Sequence, residues 1–302
     1  MKIVVVGSSN TDMIIRVPRI PRPGETILGG TFSMAAGGKG ANQAVAAARA
    51  GGKVAFVARV GDDMFGRQAV LGFKKDGLTV RHVVKDKIAP SGIALIFVAT
   101  DGENSIAVAS GANGRLSPQD VLAARELIEN AQVVVTQLET PLNTVRAAAR
   151  MAAGKKIPFI LNPAPARPLD DELLKKVSFI TPNETEAELL TGVRVADDAG
   201  AEKAAKILLA KGVKTVIITL GAKGAYVRSE RFTGVVPGFE VKALDSTAAG
   251  DVFNGALAVS LAEGKPLDQA VRFANAAAAL SVTKMGAQPS APRRAAIEKM
   301  LV

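Results

Sequence analysis

Val133-Val-Val-Thr-Gln137, then Asn143–Ala153, then Pro158-Phe-Ile-Leu-Asn162: an apolar run, an alanine-rich amphipathic stretch and a second apolar run follow one another directly. Short runs that are apolar on both faces suit strands buried on both sides, which belong to parallel sheets covered by crossover helices. The same rhythm extends outward in both directions. Towards the N-terminus, Met1-Lys-Ile-Val-Val-Val-Gly7 and Val54–Val60 read as buried strands. Helices are expected over Gln43–Ala50, closed by Gly51-Gly52, over Asp63–Asp76, stopped by Gly77, and over Pro118–Asn130. Towards the C-terminus come a short helix near Asp170–Lys176, strand Ser178–Thr181, helices Asn183–Thr191 and Ala201–Lys211, and strand Thr215–Leu220. A hairpin strand at Ala225–Arg228 and helices Val252–Leu261, Leu267–Thr283 and one from Pro292 complete the pattern. The alternation predicts an α/β fold of three layers, α/β/α, around a mostly parallel central sheet.

Two segments, roughly 11–34 and 91–110, do not fit that layering. Ile93-Ala-Leu-Ile-Phe-Val98, a turn at Asp101-Gly102 and Ser105-Ile-Ala-Val108 make a β-hairpin. Met13-Ile-Ile-Arg-Val17 reads as a further strand before the turn-rich Pro18–Gly24. These strands are apolar on both faces, so each face must cover something. The expectation is a lid within a single domain spanning 1–302, one face over the substrate and the other against a second subunit in a homodimer.

Composition narrows the function. Cysteine is absent from the 302 residues, which excludes disulfides, thiolate metal sites and cysteine nucleophiles and fits a cytoplasmic protein. His82 is the single histidine and reads as a surface residue, which disfavours Ser-His-Asp hydrolysis. The first strand is too short and lacks the cleavage site of a signal peptide, and no apolar run is long enough to cross a bilayer. Net charge is +10, yet the cations are dispersed and almost no aromatics lie between them, so nucleic acid is not expected as a partner.

Chemistry concentrates in Asp245-Ser-Thr-Ala-Ala-Gly-Asp251. Phe239–Leu244 before it reads as a strand and Val252–Leu261 after it as a buried helix, so the small residues occupy a first helical turn whose amides lack intrahelical partners. Gly250 lets an anion approach that backbone, and Asp251 sets a carboxylate beside it, suited to taking a proton from an attacking hydroxyl. An ordinary N-cap by Ser246 or Thr247 explains the same seven residues. Gly37-Gly-Lys-Gly40 is not a P-loop, since Ser33 stands at the first required glycine and Gly40 at the required Ser or Thr. The dinucleotide fingerprint fails at Gln43. Thr219-Leu-Gly-Ala-Lys-Gly224 follows a buried strand, so Gly221 and Gly224 could admit phosphates beside Lys223, or form a plain hairpin turn. Asn183-x-x-Glu186 has capping-box spacing, and Glu186 could equally organise water around Mg²⁺. Asn10, Asp12, Asn42 and Glu139 are polar residues at strand ends and loop mouths, of the types that hold a polyol.

Taken in order, Asn10-Thr-Asp12, Pro23-Gly-Glu25, Gly37-Gly-Lys-Gly-Ala-Asn42, Leu138-Glu139, Asn183-x-x-Glu186, Thr219-Leu-Gly-x-x-Gly224, Asp245-x-Thr-x-Ala-Gly-Asp251 and Gly286-Ala-Gln-Pro-Ser290 resemble the ribokinase-like carbohydrate kinase family over essentially the whole chain. The resemblance implies MgATP-dependent phosphorylation of the 5-hydroxyl of D-ribose, with deoxyribose, fructose or adenosine as the alternative acceptors. It makes Asp251 the base and the amides around Ala248, Ala249 and Gly250 the anion hole. It assigns Asn10, Asp12, Gly38, Lys39, Gly40, Asn42 and Glu139 to the sugar. Asn183, Glu186, Thr219, Gly221, Lys223, Gly224 and Asn275 fall to ATP and its Mg²⁺. An activating K⁺ is implied near Asp245, Thr247, Ser281, Lys284, Gly286 and Ser290, several through main-chain carbonyls. The family motif more often begins Asp-Thr-Thr, and Ser246 departs from it by one methyl group.

Overall fold

The structure, a computed structural model, describes residues 2–302; Met1, read as part of the first strand, lies outside them. Its strands, in chain order, are β1 (Lys2–Val6), β2 (Asn10–Val17), β3 (Thr31–Gly37), β4 (Lys53–Gly61), β5 (Thr79–Asp86), β6 (Gly92–Ala99) and β7 (Asn104–Ala109). They continue with β8 (Val133–Thr136), β9 (Phe159–Leu161), β10 (Phe179–Ile180), β11 (Thr215–Thr219), β12 (Gly224–Arg228) and β13 (Thr233–Pro237). Nine of them form one sheet in the order β13-β12-β11-β10-β9-β8-β1-β4-β5, parallel from β11 to β5 and antiparallel only at β12 and β13.

Period-two alternation along these strands feeds two cores. Ile3, Val5, Val133 and Val135 face the layer containing helices Lys39–Arg49, Ala249–Ala262 and Leu267–Ser281. Val4, Val6, Val134, Phe159 and Leu161 face the layer of helices Leu142–Gly154 and Asp198–Ala210. The order in which strands are added reverses beside β1, which pairs in parallel with β4 on one side and β8 on the other. Open α/β sheets bind ligands at the carboxyl ends of the strands flanking such a switch point.

Helix Ala249–Ala262 is buried along nearly its whole length. Gly255 explains how closely it crosses helix Lys39–Arg49: a Cβ there would stand 2.7 Å from the Ala46 Cβ and 2.7 Å from the Gln43 carbonyl oxygen. Asp251 lies one turn before Gly255, so the close crossing also presents Asp251 to Asn42 and Gln43.

The remaining four strands form a small sheet in the order β3-β2-β6-β7. Its register separates two faces. Asp12 stands between Ala35 and Ala94, and Ile14 pairs with Ile96, which in turn pairs with Ile106. On the other face Met13 stands between Met34 and Leu95, and Ile15 between Phe32 and Phe97. Phe32, Met34 and Leu95 are each at least half exposed, at 59%, 52% and 50%.

Four expectations need correction. Phe239–Leu244 is not a strand: β13 takes the sheet edge, Leu244 is exposed, and the Leu244 and Asp245 amides donate to the Val282 carbonyl instead of to a ladder. The small sheet reaches past residue 34, because Ala35, Ala36 and Gly37 pair with Asp12, Thr11 and Asn10. The helix expected over 118–130 divides into Pro118–Ala123 and Arg125–Glu129, with the Ala124 amide shared between the carbonyls of Asp120 and Val121. His82 lies within β5 and is partly covered, with burial and then Arg81 lowering its proton affinity.

Candidate active site

The carboxyl end of β1 opens into Gly7–Ser9, and helix Lys39–Arg49 begins directly against it. The Ala41 amide donates to the Ser8 carbonyl at 2.8 Å and the Gly40 amide to the Ser8 hydroxyl at 3.2 Å. A Cβ on Gly40 would lie 2.5 Å from the Ser8 nitrogen and 2.6 Å from the Gly7 carbonyl carbon, so only glycine permits this approach. Glu139, just beyond β8, accepts from the Ser8 hydroxyl at 2.5 Å and the Lys39 amide at 2.9 Å. A carboxylate is favoured at a helix N-terminus by the dipole and the unpaired amides there. Gly38 has φ 88°, and its missing Cβ makes room for the Asn10 backbone. Asn10 is held in turn by the Asn113 side-chain amide at 2.7 Å.

Asp251 is buried at 5% exposure. Its Oδ2 accepts from the Asn42 amide at 2.9 Å and its Oδ1 from the Gln43 amide at 2.9 Å. Burial raises its proton affinity above the usual carboxylate range, Lys39 and the two amide donors oppose this, and Glu139 adds to it. Asp12 is pushed up to about 6, first by burial and then by the charges of Glu139 and Asp251. Lys39 is held charged by Asp251, against burial and with help from Glu139 and Glu186. The centre is therefore a cluster of carboxylates around one ammonium, with burial the leading influence on both Asp12 and Asp251.

The turn leading into Asp251 is not an ordinary cap. The N-cap is Ala248, in the left-handed region at φ 61°, and no side chain caps the helix. A non-glycine residue there stores strain of about 1–3 kcal/mol. Of the amides expected to face an anion, that of Ala249 is taken by the Ser246 carbonyl at 3.2 Å, which corrects its inclusion. Those of Ala248, Gly250 and Asp251 make no hydrogen bond among the described residues.

A cavity of about 310 Å³ joins these groups. Asn10, Asp12, Gly38, Lys39, Asn42 and Glu139 line one end of it, and Asn183, Glu186, Thr219 and Ala248–Asp251 also border it. Asn183 and Glu186 form the complete capping box, each side chain bonded to the other's backbone nitrogen, and both still border the cavity. Gly40 stands behind the wall against Ser8. Gly221, Lys223, Gly224 and Asn275 do not line the cavity. Residues Gly221–Lys223 form a single tight turn between β11 and β12, Gly224 is glycine because Val236 and Gly238 pass behind it, and the Asn275 amide donates to the carbonyls of Val236 and Pro237.

The residues expected around a monovalent cation gather at one place. Asp245 accepts from the Gly286 amide at 2.8 Å and the Thr247 amide at 2.9 Å. The hydroxyls of Ser281 and Ser290 donate to the carbonyls of Ala278 and Ala287, which leaves their oxygens free to coordinate. The Lys284 side chain is exposed, so its share in such a site rests on its carbonyl.

Sequence reasoning missed Gln43, Gln137, Asn162, Thr181 and Asn254 around Asp251, and Ile96, Ile106 and Val108 of the small sheet in the cavity wall. Gln137, Asn162 and Thr181 each follow an apolar strand, and a polar residue just past a buried parallel strand was the signal available. The apolar three were signalled only together, as strands of a lid expected to face the substrate, and not residue by residue.

The family described as pfkB family carbohydrate kinase matches residues 1–294. A Haemophilus influenzae protein named ribokinase is 49% identical over 292 residues, 97% of this chain and 95% of that one. A Salmonella typhi protein named deoxyribokinase is 40% identical, over 97% of this chain and 96% of its own. The structure of Arabidopsis thaliana ribokinase complexed with ribose and ATP superposes with a TM-score of 0.92 at 35% identity, over 99% of this chain and 98% of the other.

Proposed function

The chain belongs to the pfkB family of carbohydrate kinases, and from that footing we infer that it transfers the terminal phosphoryl group of ATP to D-ribose, at the 5-hydroxyl. The observation that carries the site's chemistry is Asp251: a buried carboxylate gripped by two amides, opening onto the same cavity as the unpaired amides of Gly250 and its own backbone.

In this reading the sugar lies between Asn10, Asp12, Gly38, Lys39, Asn42 and Glu139. Asn42 supports the assignment, because its Oδ1 is buried with no donor, as a group awaiting a hydroxyl would be. Asp251 takes the hydroxyl proton as the oxygen attacks, and the amides of Ala248, Gly250 and Asp251 hold the phosphoryl oxygens in transit. Ala249 helps through its bond to Ser246, which sets the turn. The nucleotide runs past Asn183 and Thr219 towards the Gly221–Gly224 turn and Asn275, with Lys223 as a mobile charge. The residues suit Mg²⁺ only through water: Glu186 already caps a helix with one oxygen, and no group of three or more acidic or histidine side chains could hold a metal among the described residues. Bound with ATP, Mg²⁺ neutralises charge on the phosphates. K⁺ is assigned to the Asp245, Thr247, Ser281, Lys284, Gly286 and Ser290 cluster, whose hard oxygen donors suit an alkali cation and whose charge would act on the neighbouring anion site.

ADP release with ribose, deoxyribose, fructose and adenosine, run in potassium and again in sodium, tests this assignment. Ribose is expected to give the highest kcat/KM and potassium the faster rate. Preference for another acceptor removes the ribose assignment, and equal rates in the two salts remove the cation.

Asp12 supplies a pH signature. A carboxylate with a folded pKa of about 6 gains its proton as pH falls through that value and then loses one acceptor for a sugar hydroxyl. The ribose KM should rise towards about tenfold per pH unit below that point. Because the folded value is raised, the ligand-free protein gains stability from this group over the same fall in pH. A KM that is flat between pH 5 and about 7 contradicts the role of Asp12.

No helix among the described residues is long and apolar enough to cross a membrane. We assign the small sheet as a lid: Ala94, Ile96, Ile106 and Val108 face the cavity. Its opposite face, with Phe32, Met34 and Leu95 exposed, meets a second copy in a homodimer. Sedimentation at micromolar protein is expected to give a dimer that Met34→Asp converts to monomer. A monomeric parent protein contradicts the assignment.

A further inference from the structure

Behind Asp251 lies a chain of amide side chains, of which Asn162 borders the cavity while Gln43 and Gln137 do not. The Asn162 Nδ2 donates to the Thr181 main-chain carbonyl at 3.2 Å, and a carbonyl can only accept, so the nitrogen end of Asn162 is fixed. Its Oδ1 then faces Gln43, whose Nε2 donates to it at 3.0 Å and to Asp251 Oδ1 at 2.9 Å. The other end of Gln43 is fixed as well, since its Oε1 accepts from Gln137 Nε2 at 2.6 Å. Gln43 and Asn162 are buried at 0% and 6% exposure and Gln137 at 1%, so water does not compete for these bonds. Gln137 has a buried Oε1 with no donor, in a space that exists because residue 7 is glycine; a Cβ there would come within 2.2 Å of that oxygen. Unpaired buried acceptors are costly, and this one is tolerated where Gln137 must present its nitrogen forward.

We propose that Gln43 is a positioning residue for phosphoryl transfer: clamped between Gln137 and Asn162, it always turns its nitrogen to Asp251 and holds the carboxylate in the orientation from which it receives the sugar proton. A Gln43 free to flip would set an oxygen against the Asp251 oxygen, and one of the carboxylate's two donors would become a repulsion. Both hydrogens of its Nε2 are used, one on Asn162 and one on Asp251. The Asn42 amide cannot take over, because it already donates to Oδ2. The charged groups around Asp251 are Lys39 at the start of the helix that carries Gln43, Glu139 beyond β8, Asp12 of β2 and Glu186 of the helix Glu184–Thr191. Of these only Lys39 favours the ionised form, so a lost amide donor is not replaced by a neighbour.

The inference rests on Asp251 as the base, and the test separates the two. In Gln43→Leu, kcat is expected to fall by about tenfold to a hundredfold, the ribose KM to change by less than about threefold, and the acidic limb of the kcat–pH profile to move to higher pH. Gln137→Leu touches neither Asp251 nor the cavity, yet should reproduce the shift of the acidic limb with a smaller fall in kcat. It also serves as the second variant should Gln43→Leu fold poorly. A role in packing alone lowers melting temperature in both variants and leaves the limb where it is, which overturns the proposal. If Asp251→Asn retains turnover within about tenfold of the parent, the base assignment falls first. If that variant is inactive while the Gln43 and Gln137 variants keep the parent's profile, the base stands and the amide clamp is wrong.

Discussion

Asp251→Asn is expected to bind ribose nearly as the parent does and to lose on the order of a thousandfold or more in kcat. The amide of asparagine fits the space of the carboxylate, so the fold is unaffected by volume. Its failure is chemical. An asparagine cannot accept the proton of the attacking hydroxyl, and its nitrogen would confront the Asn42 and Gln43 donors that now converge on two acceptor oxygens. Removing the charge also relieves Asp12, whose proton affinity is raised partly by Asp251, so ribose affinity should hold or improve slightly. Single-turnover kinetics together with ribose titration by calorimetry measure both halves. Turnover within about tenfold of the parent would remove Asp251 from the chemistry.

Gly40→Ala comes second in size, and it acts through geometry. The added methyl would meet three backbone atoms of Gly7 and Ser8 at 2.5 to 2.7 Å, and neither side is a flexible side chain. Helix Lys39–Arg49 must back away from the end of β1, breaking the Gly40 and Ala41 bonds to Ser8. Overpacking of this kind costs about 1–3 kcal/mol and here strikes a core contact. Lys39, Asn42 and Gln43 ride on that helix, and a displacement of about 1 Å at a reacting site costs roughly a hundredfold. The expected outcome is a lowered denaturation midpoint with kcat/KM for ribose down by about a hundredfold. Parent-like values in both measurements would show that the helix start tolerates a side chain.

Regular burial made the frame legible in the sequence. Ile3-Val-Val-Val6, Val133-Val-Val135 and Phe159-Ile-Leu161 announce strands covered on both faces, and the parallel sheet is built on them. The motifs before helices Lys39–Arg49 and Ala249–Ala262 were legible because glycine and small residues mark where backbone must come close. Phe239–Leu244 misled because its alternating pattern imitates a strand, while the edge position was already taken by β13. Glu139 was legible as a polar residue beyond a buried strand, but its bond to the Lys39 amide was not, since the two residues meet only after β1 and β8 pair. The amides behind Asp251 escaped for the same reason. Gln43, Gln137 and Asn162 become one network only across three separate elements, and each singly resembles an ordinary helix or strand-end residue. The bonds of Asn275 to two carbonyls at the end of β13 were not legible either, because a buried asparagine pinning backbone leaves the same trace in sequence as one reaching a ligand.

The tight crossing of two helices at Gly255 has a bearing on where the proton goes after catalysis. A glycine lies against an alanine there, and the carboxamides of Gln43 and Asn254 beside residue 251 are buried, which shields its rear from bulk solvent. With Asp251 as the proposed base, a proton taken from the sugar is expected to leave on the cavity side, where the sugar enters. With the small sheet as the proposed lid, exchange of that hydrogen with bulk water should then keep pace with its opening.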